Sequence, residues 1–152
     1  MTDSKLKKIT VALAGNPNSG KTSVFNMLTG ASHHVANYPG TTVETVQGTC
    51  THGDFRIIFV DLPGAYGLTT FSAEELVARN FIIDEKPDIV VNVIDTSNLE
   101  RNLYLTTQLI ELGVPIVDLA YGFLPLQRSI GVGRCRAQGD LCRQGFEDLR
   151  VA

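Results

Sequence analysis

The sequence is short of the features that mark several classes of protein. It has no excess of positive charge: 13 Lys and Arg stand against 16 Asp and Glu, a formal net charge of −3. A nucleic-acid-binding surface would normally be basic, so no nucleic-acid partner is expected. The three cysteines, Cys50, Cys135 and Cys142, are an odd number at no metal-ligand spacing. They suit free thiols in a reducing compartment better than a disulfide framework. No apolar run approaches the roughly 20 residues of a membrane helix. Lys5, Lys7 and Lys8 precede only a short apolar run that ends at Gly15, too short for a signal peptide. Taken alone, the chain is expected to be soluble and cytoplasmic. No internal repeat is visible, and 152 residues suffice for one domain with its own core.

What is present alternates between two periods. Ile9 to Ala14 is an apolar run ending in glycine, the pattern of a buried parallel strand. Lys21 to Leu28 has Val24, Phe25 and Leu28 at helical spacing, and residues 31–42 read as a loop. Val43 to Thr51 and Phe55 to Val60 read as strands joined by a turn at His52-Gly53-Asp54. A second helix is expected over Ala73 to Ile83, with Leu76, Val77, Asn80 and Phe81 facing inward in part. Ile89 to Ile94 is a further buried strand, Leu99 to Leu112 an amphipathic helix stopped by Gly113, and Val114 to Val117 begins another strand. Strands alternating with helices predict a doubly wound, mostly parallel α/β sheet with helices on both faces.

One motif carries chemistry. Gly15-Asn16-Pro17-Asn18-Ser19-Gly20-Lys21-Thr22 fits G-x-x-x-x-G-K-[ST], between a predicted strand and a predicted helix. Its glycines let the backbone wrap so that N–H groups converge on phosphate oxygens. Lys21 places a positive charge against the outer phosphates, and the Thr22 hydroxyl is a ligand for Mg²⁺. The helix that follows adds the positive end of its dipole. Residues 16–23, including Ser23 beside the motif, are the candidate nucleotide-binding set.

Asp61-Leu62-Pro63-Gly64 follows a predicted strand about 40 residues after Lys21. An aspartate there reaches Mg²⁺ through water, and the Gly64 N–H meets the terminal phosphate. Such a site also needs a threonine in a loop between the two motifs, and Thr41 and Thr42 both qualify. His33 and His34, or Cys50 with His52, complete no set of four metal ligands and read as loop and solvent-facing residues.

GNPNSGKT, VANYPGTTVE (Val35 to Glu44), DLPGAYGL (Asp61 to Leu68), the S-x-E-E stretch at Ser72 to Glu75, and DTSNLERNLYLTTQLIELG (Asp95 to Gly113) together resemble the cytosolic G domain of the ferrous iron transport protein B family. The resemblance spans roughly residues 8–117. It implies a Ras-like G domain of the P-loop NTPase fold, whose sheet has one antiparallel strand. It also implies a Mg²⁺-dependent GTPase binding GTP and GDP at the cytoplasmic face of the bacterial inner membrane, regulating a membrane domain that takes up Fe²⁺. Thr42 becomes the Mg²⁺ ligand of the mobile loop, Asn18 a ligand for an activating K⁺, and Lys21, Thr42 and Gly64 the catalytic set. Ala65 stands where Ras-like proteins place a glutamine that orients water, so hydrolysis should be slow or use another group. A non-catalytic nucleotide-sensing module is the alternative.

The pattern of the family is left after Val117. Asp118-Leu119-Ala120-Tyr121-Gly122-Phe123-Leu124 holds no N-x-x-D box, whose aspartate reads guanine in the family. Residues 118–152 contain five arginines and no lysine, against three arginines and five lysines before them. The division is therefore a G domain over 1–117 and an atypical tail over 118–152, without the usual last strand, last helix or helical domain. Two consequences are expected: weak selection of GTP over ATP, and self-association as a homodimer with exchanged elements.

Overall fold

A computed structural model describes residues 6–30, 33–37, 43–69, 71–121 and 131–132. Seven strands form one sheet in the order β2-β3-β4-β1-β5-β6-β7. They are β1 (Lys7–Gly15), β2 (His33–Asn37), β3 (Glu44–His52), β4 (Phe55–Asp61), β5 (Ile89–Asp95), β6 (Ile116–Tyr121) and β7 (Gly131–Val132). The helices are α1 (Lys21–Thr29), α2 (Ala73–Asn80) and α3 (Leu99–Glu111). A wider π turn, Phe81–Glu85, extends α2, and a 3₁₀ turn, Thr96–Asn98, leads into α3.

The four inner strands β4, β1, β5 and β6 run parallel. β3 is antiparallel to both its neighbours, as the expected single reversed strand. The two-residue β7 adds a second reversal at the β6 edge. Central strands covered on both faces lose the polar alternation of a half-exposed strand, and β1 ends with five consecutive buried residues. Its side chains divide strictly by parity. Val11 and Leu13 join Phe59, Val91 and Val93 under Val24 and Phe25 of α1. Ala12 and Ala14 join Val60 and Val90 under Phe81, Ile82, Leu105 and Leu109. One face thus lies under α1 and the other under α2 and α3. Each fully buried Leu, Ile or Phe contributes about 1.5–3 kcal/mol, which makes this double layer the main source of stability.

Two expectations are corrected. Residues 33–37 are not loop: they pair antiparallel with β3, Asn37 opposite Glu44 and His33 opposite Gly48. This edge pairing is made by backbone hydrogen bonds, and both His34 and Val35 are exposed, so no period-2 burial pattern advertises it. In α2 the inward stripe is Val77 and Ala78, continued by Phe81 and Ile82, whereas Leu76 is 39% exposed. Leu76 lies about a quarter turn round the helix from that stripe. The hairpin turn at Gly53 and the stop at Gly113 fall where expected, both glycines left-handed at φ 55° and 70°. Apart from the strands just named, the tail from residue 122 onward, with the proposed exchange of elements, lies outside the described residues.

Candidate phosphate-binding site

The site is built where β1 stops. At Gly15 an added Cβ would stand 2.7 Å from the Val93 carbonyl oxygen and 2.8 Å from Ser19 Oγ, so only glycine passes there without displacing backbone. Asn18 (φ 63°) and Gly20 (φ 89°) are both left-handed. Alternation of hand in a short loop gathers successive N–H groups into a concave anion cradle. The loop is closed internally by the Ser19 N–H, which donates to the Asn16 carbonyl at 3.1 Å. Helix α1 then opens with no side-chain cap and no acidic residue in its first turn. Its leading N–H groups therefore have neither a capping oxygen nor a carboxylate to satisfy them, the condition under which a helix start binds anions.

These elements enclose a cavity of about 460 Å³ lined by Asn16, Pro17, Asn18, Gly20, Lys21, Thr22, Ser23 and Gly64. Lys21 is buried, and its ammonium donates to the Asp61 carboxylate, also buried. The parallel register that sets Asp61 opposite Leu13 brings this acid to the floor of the loop. Each group neutralises the other at the floor of the loop. Asn16 Oδ1 and Ser19 Oγ are buried at the same loop without a protein partner. Unpaired buried polar atoms are uncommon and call for a bound species.

After Asp61 the chain is stitched to β1 and the loop: Leu62 N–H donates to Leu13 O at 3.0 Å, and Ala65 N–H to Gly15 O at 3.1 Å. Leu62 and Ala65 turn their side chains into the core, leaving Gly64 at the cavity. A Cβ on Gly64 would sit 3.0 Å from Pro17 Cα, so the two motifs touch. Ala65 thus offers nothing to the cavity, consistent with its apolar character. Of the residues picked out in the sequence, the structure gathers 16–18, 20–23 and Gly64 around the cavity, with Ser19 buried in the same loop and Asp61 reaching Lys21. Thr41 and Thr42 lie outside the described residues. The donor set fits a Mg²⁺-bound nucleoside phosphate: a cation for the outer phosphates, an uncapped helix start, a hydroxyl and a carboxylate. Sequence reading missed the contacts that α3 makes with the stretch after Gly64. Its polar residues there have the spacing of an ordinary solvated face, so nothing in the string distinguishes them.

The end of the sheet at β6 is built differently. In β6, Asp118 pairs in register with Asn92 of β5, and Asn92 Nδ2 donates to both Asp118 Oδ1 and Thr106 Oγ1 at 2.9 Å. Burial pushes the Asp118 carboxyl above its ordinary value, partly opposed by the hydrogen bond from Asn92. Asp118 is not among the residues lining the cavity. Among the described residues no three or more His, Cys, Asp or Glu gather into a metal-holding group. None of the helices described is long and apolar enough to cross a membrane.

Comparison with known proteins follows the same boundary. The family model described as ferrous iron transport protein B matches residues 9–121, ending with β6. A Porphyromonas gingivalis fusion of Fe(2+) transport protein A with Fe(2+) transporter FeoB is 57% identical over 110 residues, 72% of this chain and 13% of that protein. The Fe(2+) transporter FeoB of Escherichia coli K12 is 50% identical over 116 residues, 74% of this chain and 15% of that protein. This chain therefore spans about an eighth to a seventh of the length of these curated relatives. Among solved structures, a GDP-bound mutant of S. thermophilus NFeoB superposes with a TM-score of 0.69 at 47% identity, covering 74% of this chain and 44% of that one. The G domain of the T. maritima FeoB iron transporter gives a TM-score of 0.67 at 37% identity, covering 74% and 87%.

Proposed function

We propose that this chain, which belongs to the ferrous iron transport protein B family, binds and hydrolyses GTP as the cytosolic G domain that regulates a membrane domain taking up Fe²⁺. The observation that carries this reading is the cavity itself, where the phosphate loop, Lys21, Asp61 and Gly64 converge. The GDP bound in the S. thermophilus relative supports guanine nucleotide as the ligand.

The residues divide the work. The loop N–H groups of Asn18 and of Gly20 to Thr22 hold the inner phosphates, and Lys21 leaves Asp61 to pair with the outer ones. Thr22, Thr42 and Asp61 are the protein's side of a Mg²⁺ site, and a bound Mg²⁺ supplies neutralisation of the charge shared by the outer phosphates. Gly64 offers its N–H to the terminal phosphate as water attacks in line, where preorganised donors lower the barrier most. Asn18 holds an activating K⁺ beside the phosphates in this reading; its exposed side chain and its position on the cavity lining support the assignment.

The test is turnover of GTP with Mg²⁺ in K⁺ and in Na⁺. Faster hydrolysis in K⁺, lost in Asn18→Ala, is the expected result; equal rates in the two salts would refute the cation role. One observation favours a second reading, a nucleotide sensor without turnover: Ala65 is buried in the core, and among the described residues no side chain lining the cavity is a carboxylate or imidazole to orient water. Nucleotide binding with no phosphate release in either salt would select that reading.

A further inference from the structure

The stretch that carries Gly64 to the cavity is gripped on its other side by α3. The Arg101 guanidinium lies 3.7 Å from the centroid of the Tyr66 ring, a stacked cation–π contact. Gln108 Oε1 accepts a hydrogen bond from the buried Leu68 N–H. Between them, Gly67 passes so close that a Cβ would stand 2.9 Å from both the Tyr104 ring and Gln108 Oε1. Positions 101, 104 and 108 share one flank of the helix. That flank is no part of the core: Arg101 and Tyr104 are exposed and Gln108 is half-buried. None of the three lines the cavity.

Residues 64–68 are therefore fixed twice within five positions. Gly64 and Ala65 are tied to the phosphate loop, through Pro17 and the Gly15 carbonyl. Tyr66, Gly67 and Leu68 are tied to α3. A segment this short, pinned at both ends, transmits a shift at one end to the other.

We propose that Gln108, supported by Arg101 and Tyr104, is a positioning residue that sets the Gly64 N–H against a terminal phosphate and so determines how well the site separates triphosphate from diphosphate. The inference rests on the nucleotide reading above. A diphosphate is held by the phosphate loop and Lys21, which the α3 grip does not touch. A third phosphate is the part that meets Gly64. Removing the Gln108 acceptor leaves the Leu68 N–H buried and unpaired, and frees the loop that must be ordered when the third phosphate arrives.

The experiment titrates fluorescent GDP and a non-hydrolysable GTP analogue against the wild-type chain, Gln108→Ala and Gln108→Glu. In Gln108→Ala the GDP affinity should stay within about twofold, while the analogue binds about tenfold more weakly, the weight of one net hydrogen bond. Gln108→Glu keeps an oxygen acceptor for the Leu68 N–H and should recover most of the loss. Exposed Arg101→Ala, which leaves the core intact, should repeat the selective loss at smaller size. Unchanged analogue affinity in Gln108→Ala, equal loss for both nucleotides, or no recovery in Gln108→Glu would overturn the positioning role while leaving the nucleotide reading standing. A wild-type chain that binds neither nucleotide overturns that reading, and the positioning role with it.

Discussion

The two regions of the proposed nucleotide site, the phosphate loop and the β6 edge, belong to one sheet but are made in opposite ways. The phosphate end is largely local: residues 16–23 at one helix start and Gly64 gather at the cavity, with Asp61 reaching Lys21 beneath them. A base-reading end would be remote, since the resemblance puts the guanine-reading aspartate just beyond β6. Here β6 runs to Tyr121 with Asp118 turned to Asn92 in the sheet, and the match to the family model stops at the same residue. Charge on phosphates is recognised by backbone geometry that a short string can encode alone. A heterocycle is recognised by side chains that depend on everything after the strand.

The largest effect belongs to the phosphate end. Lys21→Ala should abolish detectable triphosphate binding, because charge-assisted hydrogen bonds contribute about 1.5–3 kcal/mol each and Asp61 is left buried without its partner. A fluorescent-nucleotide titration checks this, and unchanged affinity would break the phosphate-end reading.

Next comes the backbone. Gly15→Ala should destabilise the fold by about 1–3 kcal/mol, the usual range for overpacking, because its Cβ meets the Val93 carbonyl, which cannot rotate away. A urea melt that shows no change would mean the loop has slack at that point.

The smallest effect sharpens the contrast at the base end. The raised Asp118 carboxyl means that the folded chain holds this proton more tightly than the unfolded one. Between the unfolded and folded values the folded state binds more protons, so the aspartate lowers stability as pH rises through that window. Asp118→Asn should therefore raise the Tm slightly at neutral pH, with the gain fading below the unfolded carboxylate range. Melting curves against pH check it; a lower Tm at neutral pH would show that the Asn92 hydrogen bond outweighs desolvation.

Legibility followed the same division. The phosphate loop, β1, α1 and the mostly parallel, doubly wound character of the sheet were readable because contiguous residues fix them through period and glycine placement. Gly15 and Gly20 are required by close approach and a left-handed backbone, constraints that survive in the string. β2 was not readable, since an edge strand held by backbone bonds leaves no side-chain pattern. Leu76 was misjudged because a short helix allows two stripes a quarter turn apart, and only the sheet beneath decides. The α3 grip was invisible for a related reason: Arg101 and Gln108 look solvated until the DLPGAYGL stretch is laid across them.

The difference between the two ends is tested most directly by displacing fluorescent GDP with unlabelled GDP and with ADP, in Mg²⁺, at one salt concentration. An aspartate reading guanine provides two hydrogen bonds, roughly 3–6 kcal/mol of discrimination when the base-reading partner is charged. With no N-x-x-D box after Val117, ADP should displace the probe within about tenfold of GDP, a gap smaller than one charged hydrogen bond. A preference for GDP of about a thousandfold, some 4 kcal/mol, would contradict it and show that another residue of the chain reads the base.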